Sequence, residues 1–247
     1  MSNLALRKTG IQVLYLDDVL LVADKPPHIL PGRSTPQQEG LPGLLAREGR
    51  LDDPGAWQPV LGLPEQVSGV AIYARQPAAR KTLRRAFAEG SHRVVYLALV
   101  SGYVESDRDI DIPLRFDKRA GKLLASERRG TPARTSLRIV ERVAGNTLVE
   151  CSPQHERTDQ VRAHLEAIGH PLTIDPRFGG GETVLLSAYK PNYRPSGRRS
   201  ERPLIHRLTL HVAAVTLCHP ASGKPLEFTA PVPRDLRATL TQLRRLT

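Results

Sequence analysis

The chain has 247 residues, 40% of them apolar and only 4% aromatic, and carries 36 Lys and Arg against 25 Asp and Glu, a net charge of +11. That length can bury a sizeable core, and its apolar runs are strand-sized, far short of a membrane span. Arg7 and Lys8 stand where a secretory leader needs its apolar run, so the sequence predicts a soluble, cytoplasmic protein.

The first predicted element is a hairpin, because Val13–Leu16 and Val19–Ala23 are apolar runs split by Asp17-Asp18. Asp24-Lys25-Pro26-Pro27 ends its second strand, since successive prolines have no N–H for a ladder. From Pro31 to Pro59 the chain is rich in Pro, Gly and charge, so a long surface excursion is expected, with a short helix at Leu41–Arg47. Val70–Ala74 is an apolar strand. Pro77–Glu89 reads as a helix: Pro77 suits its first turn, Leu83 and Phe87 recur at i and i+4, and Arg80, Lys81, Arg84 and Arg85 cover much of the rest.

Arg93–Val100 is a strand containing Tyr96, and Thr135–Val143 with Thr147–Cys151 forms a second hairpin, turned at Gly145-Asn146. The spacing predicts a helix over Thr158–Ile168, with Thr158 as N-cap, Val161, Leu165 and Ile168 as buried stripe and Gly169 as stop. Leu210–Leu217 and Leu226–Thr229 are strands flanking the turn His219–Gly223, and the last helix, Asp235–Leu246, buries Leu236, Leu240, Leu243 and Leu246. There is no internal repeat and no linker between two cores, so one domain over 1–247 is expected. Strands following strands, with few helices between, give an α+β fold with a mixed, mainly antiparallel sheet.

The positive charge is concentrated. Arg115–Arg138 holds eight basic residues against two acidic, and Tyr189–Arg207 six against one, so these two loop-like stretches carry the whole excess. Such clustering fits a polyanionic partner, whose phosphates release counterions when neutralised. Cys151 and Cys218 lack a second Cys nearby and are expected as buried thiols. The eight His residues are scattered, with no H-x-x-x-H or C-x-x-C pair, so a zinc site is not expected.

Several segments in order resemble the RluA-type pseudouridine synthases. Leu14-Tyr15, Asp17-Asp18, Leu20-Leu21-Val22 and Asp24-Lys25-Pro26 look like that family's opening hairpin. Leu61-Gly62-Leu63-Pro64-Glu65-Gln66-Val67-Ser68-Gly69 is similar to its His-Arg-Leu-Asp-x-x-Thr-Ser-Gly signature, but lacks the His, the Arg and the Asp. Val95–Val100 resembles the Tyr-bearing strand, with Val94 in place of a Lys, and Thr131-Pro132-Ala133 with Thr135 matches a Pro-Ala-x-Thr element. Arg157–Asp175 follows Gly-Arg-Thr-His-Gln-x-Arg-x-His, then Gly-His-Pro and Asp, departing at Glu156 and Asp159. Leu210–Gly223 follows the last strand pair.

The resemblance implies a pseudouridine synthase fold with a basic RNA cleft, no separate N-terminal RNA-binding domain, chemistry that needs no cofactor or metal, and structured RNA, ribosomal or transfer, as partner. It implies that Tyr96 and Arg162 are the active-site tyrosine and basic residue, and that Pro64 occupies the nucleophile position. A cation without its carboxylate is costly to bury, so Arg162 must be exposed or paired elsewhere. Asp159, three residues earlier on the same helix, is within reach; Glu65 and Asp159 are the two candidate substitutes for the lost acid. Arg84, Arg85, Arg115, Lys118, Arg119, Arg128, Arg129, Arg134, Lys190, Arg194, Arg198 and Arg199 are the expected phosphate contacts, with Tyr189 and Tyr193 available for stacking. Three readings stay open: an RNA-binding protein without isomerase activity, an active synthase with a displaced carboxylate, and a protein-binding scaffold.

Overall fold

The computed structural model describes residues 9–32, 34–190, 193 and 200–246. Along them run β1 (Gln12–Leu16), β2 (Leu20–Lys25), α1 (Leu41–Arg47), β3 (Gln58–Pro59), β4 (Ser68–Ala74), α2 (Pro77–Ala88), β5 (Arg93–Ser101) and β6 (Arg108–Asp111). There follow β7 (Leu114–Asp117), β8 (Lys122–Ala125), β9 (Arg134–Val143), β10 (Asn146–Pro153), α3 (Gln160–Ala167), β11 (Leu210–Cys218), β12 (Pro225–Thr229) and α4 (Arg234–Arg244). Ten strands make one sheet in the order β1-β2-β4-β11-β5-β10-β9-β6, with β3 beside β4 and β12 beside β11. Among the described strands only the β4–β11 pairing is parallel, so the mixed, mainly antiparallel α+β architecture is what the chain forms.

The β4–β11 crossing positions the functional site. Gly69 adopts φ +107°, and a Cβ there would lie 2.1 Å from the Val212 carbonyl oxygen, so only glycine lets β11 approach so closely. Beside it, Ser68 Oγ lies 3.0 Å from His211 Nδ1 in the buried seam. Because β11 also pairs with β5, Val212 stands opposite Tyr96, and Cys151 of β10 flanks Tyr96 on the other side. The segment that leads into β4 is thereby brought to the tyrosine.

Helices close the sheet with the residues their spacing selects. α2 buries Ala79, Leu83 and Phe87, with Pro77 at its start. α4 buries Leu236, Thr239, Leu240 and Leu243 but ends at Arg244, so Leu246 lies beyond the helix and is only half-buried, not part of the packed stripe. α3 starts at Gln160, and its cap position is Asp159, not Thr158; Asp159 sits at φ 66° and its side chain does not cap. The second hairpin turns on Ala144-Gly145, φ 39° and 74°, with Val143 opposite Asn146. This is a two-residue loop with both central residues left-handed, one residue earlier than Gly145-Asn146, and Asn146 instead opens β10.

Two further expectations fail. Arg115–Arg138 is not loop-like: it contains β7, β8 and the start of β9. These four-residue strands, with half-buried basic residues, show no alternation to read. The β7–β8 hairpin forms its own two-stranded sheet and docks on α3, where Lys122 Nζ lies 2.8 Å from Glu166 Oε1 and 2.8 Å from the Arg177 carbonyl. Cys151 is a buried free thiol as expected, but Cys218, the last residue of β11, is exposed. Among the described residues no helix is long and apolar enough to cross a membrane.

Candidate functional site

The loop before β4, Tyr96 of β5, the turn between β10 and α3, and Leu210 of β11 enclose a pocket. Pro64 lines it at the first position of a β-turn, where its carbonyl accepts from Val67 N at 3.1 Å. Around it Leu61, Leu63 and Val67 are buried and belong to the main core. In the same loop Gly62 is exposed and Pro64 is half-buried. Gly62 passes close to the next turn: a Cβ on it would lie 2.9 Å from Thr158 Oγ1.

Arg162 is enclosed, with a relative exposure of 6%. Its Nε and Nη2 each lie 2.7 Å from one oxygen of Asp175, a bidentate pair, and its Nη1 lies 2.7 Å from Asp159 Oδ1. Its guanidinium also stacks 4.4 Å from the centre of the buried Phe178 ring. Asp175, fully buried, also accepts from Phe178 N at 3.2 Å. Such bidentate pairing, backed by backbone donors, is what makes burying a guanidinium tolerable; it raises the Arg162 pKa further despite desolvation. Asp159, held in a left-handed conformation that a non-glycine residue adopts only at a cost, also reaches Arg177 Nη1 at 3.4 Å. It is a partner of Arg162 rather than a capping acid.

Tyr96 is 5% exposed, and its hydroxyl donates to Glu156 Oε1 at 2.8 Å. Burial, then the neighbouring Glu156, hold the phenol well above its ordinary pKa, so it stays a neutral donor. Burial likewise pushes the Glu156 carboxyl up to about 8, against the lowering effect of Tyr96. Its second oxygen, Oε2, is buried without a hydrogen-bond partner.

Glu65 does not line the pocket: its carboxylate meets Gln38 Nε2 at 3.2 Å, while its carbonyl accepts from the buried Lys25 at 2.9 Å. The structure thus brings Pro64, Tyr96, Asp159 and Arg162 together and leaves Glu65 outside. Glu156 and Asp175 complete the site, and the sequence singles out neither as a site residue. The signal for Glu156 was its place at a glycine of the family pattern; Asp175 was visible only as that pattern's last residue.

The basic residues are distributed over several elements. Arg84 and Arg85 are exposed on α2; Arg84 lines a second cavity with Glu156, and Arg85 pairs with Glu89 at 2.7 Å. Lys118 and Arg119 are exposed at the β7–β8 turn, and Arg128 and Arg129 in the segment after β8. Arg115 is half-buried against Asp117, and Arg134 pairs with Asp109. Lys190 is exposed; Arg194, Arg198 and Arg199 lie outside the described residues. Arg207, counted in the second basic stretch, is 1% exposed and pairs with Asp235 at 2.6 Å, so it is not available to a polyanion.

Residues 19–167 match the family profile described as RNA pseudouridylate synthase. The chain is 32% identical over 241 residues to ribosomal large subunit pseudouridine synthase D of Nitrosomonas europaea, covering 96% of this chain and 66% of that protein. It is 31% identical over 239 residues to ribosomal large subunit pseudouridine synthase C of Escherichia coli K12, covering 94% of this chain and 70% of the relative. It spans about two thirds of the length of the curated relatives it matches. The solved structure of human RNA pseudouridylate synthase domain containing 1 shares the fold, with a TM-score of 0.66 at 22% identity, over 92% of this chain and 85% of that one.

Proposed function

The chain belongs to the RNA pseudouridylate synthase family, and we propose that this member holds structured RNA, ribosomal or transfer, in the cytoplasm without isomerising uridine. The observation that carries this reading is the state of Arg162. Isomerisation detaches a uracil, turns it and rejoins it through carbon, and needs an ionised carboxylate poised against the nucleoside. The residue in that position is Pro64, and the cation beside the pocket is already engaged by Asp175 and Asp159.

The displaced-carboxylate alternative has less support. Glu65 faces Gln38, away from the pocket, and Asp159 is held by two arginines. A misplacement of about 1 Å can cost about a hundredfold in rate. RNA affinity would come from the exposed cations of α2, the β7–β8 turn and the segment after β8.

A tritium-release or mass-shift assay on total RNA with the purified chain tests the reading, and no turnover is expected. Turnover that disappears in Glu65→Gln or Asp159→Asn would sink it. Binding should weaken steeply as salt rises; absent or salt-independent binding counts against RNA as the partner.

A further inference from the structure

We propose that Glu156 is an internal stopper, occupying the space a flipped base would need, so that the chain grips RNA with no base in its pocket. This rests on the reading that the chain binds RNA without isomerising it.

The stopper is built in from both ends. Its backbone N–H donates to the Phe87 carbonyl at 3.0 Å, which ties the turn before α3 to the end of α2. Its carboxyl accepts from the Tyr96 hydroxyl at 2.8 Å. Between these anchors Glu156, together with Leu61, Gly62 and Thr158, lines both of two neighbouring cavities. One, of about 20 Å³, is lined by Pro64, Tyr96 and Arg162. The other, of about 90 Å³, is lined by Arg84 and Phe87. The first has room for about one water molecule, whereas chemistry on a base requires the whole ring to leave its stack and enter a fitted pocket.

The groups facing Glu156 leave it neutral. Tyr96 on β5 offers a hydroxyl; Arg84 comes from α2; Arg157, Asp159 and Arg162 come from the turn and α3. Among the described residues none of these cations forms an ion pair with Glu156, and Arg162 is taken by Asp175 and Asp159. An enclosed carboxyl with one hydroxyl donor and no paired cation keeps its proton. A neutral acid is a poor nucleophile and base, but a good filler. At the same position the family pattern has glycine, which would remove the five heavy atoms of the side chain from the lining the two cavities share and enlarge both.

The test uses the full chain, with Glu156→Gly, Glu156→Ala and Glu156→Gln. Uridine 5′-monophosphate is titrated by calorimetry or ligand-observed NMR, and a structured ribosomal RNA fragment by filter binding. The nucleotide should bind Glu156→Gly, and more weakly Glu156→Ala, at least tenfold more tightly than wild type or Glu156→Gln. Glutamine keeps both the volume and the acceptor for Tyr96, so it should stay closed. RNA affinity should not fall in any of the four proteins, because the exposed cations that hold RNA are the same in all of them. Equal nucleotide binding by wild type and Glu156→Gly overturns the stopper. So does no gain in either truncation, provided its circular dichroism and melting match wild type; Glu156→Ala serves if the glycine variant does not fold. Isomerisation by wild type that is lost in Glu156→Gln overturns it as well, by making Glu156 a catalytic acid or base. Failure of wild type to bind RNA, with the nucleotide gain intact, overturns the RNA-holding reading alone.

Discussion

Two acidic environments lie next to the pocket residues Arg162 and Tyr96, and the presence of a cation is the main difference between them. Asp175 is fully buried yet bidentate to Arg162, with Asp159 on the remaining guanidinium nitrogen. Glu156, on the other side of the pocket, has one hydroxyl donor and a buried oxygen with no partner. The first arrangement stores charge that is satisfied; the second is tolerable only as the neutral acid. A site built for carboxylate chemistry needs an ionised acid next to a free cation. Here the two halves of that requirement sit apart, each closed by its own neighbours.

The largest test breaks the satisfied side. Asp175→Ala leaves Arg162 buried without its main partner and should cost about 3–5 kcal/mol in guanidinium denaturation. Pairing it with Arg162→Met should recover much of that loss, since no buried charge then remains. A loss under about 1 kcal/mol for the single variant would mean that Arg162 reaches water.

The next concerns the uncompensated side. The Glu156 carboxyl titrates at about 8 in the folded chain against an ordinary 4.5. The native state therefore binds the extra proton between those values, and stability contributed by Glu156 falls as pH rises through that window. Wild type should lose about 2–4 kcal/mol relative to Glu156→Gln between pH 4.5 and 9. Taking the difference removes Lys25, which burial draws down to about 7 and whose ammonium donates to three carbonyls in both proteins. A pH-independent difference would place a cation on Glu156 after all.

Smaller effects separate the surface from the pocket. Replacing Lys118, Arg119, Arg128 and Arg129 with Gln should leave the melting temperature unchanged and flatten the salt dependence of RNA binding by about 0.7–0.9 for each phosphate no longer neutralised. An unchanged slope would move the RNA to another face. Arg85→Ala should have no measurable effect on stability, because its pair with Glu89 is exposed on both sides.

Much of the fold could be read because its signals are local. The opening hairpin, α1, α2 and the pairing of β9 with β10 follow from runs and repeats a few residues long. Errors arose where geometry, not pattern, decides. Asp159 takes the left-handed cap position because its carboxylate is drawn to Arg162 and Arg177, and the β7–β8 hairpin holds together against α3 through Lys122. Of the site, Tyr96, Arg162 and Asp159 were visible as motif positions. Asp175 and Glu156 lie in the same motif, but only the folded chain shows their roles, Asp175 pairing with Arg162 and Glu156 accepting from Tyr96.

By itself the sequence determined the order of elements, the family likeness and the proline at residue 64, a side chain to which no folding can give an oxygen to attack or accept with. Only the tertiary structure decided what became of the groups that remained. Tyr96 and Glu156 are 60 residues apart and meet because β5, β10 and the turn before α3 are drawn together by sheet pairing. Which carboxyl is charged and which is neutral then follows from burial and the nearest cation, and both are properties of the folded neighbourhood.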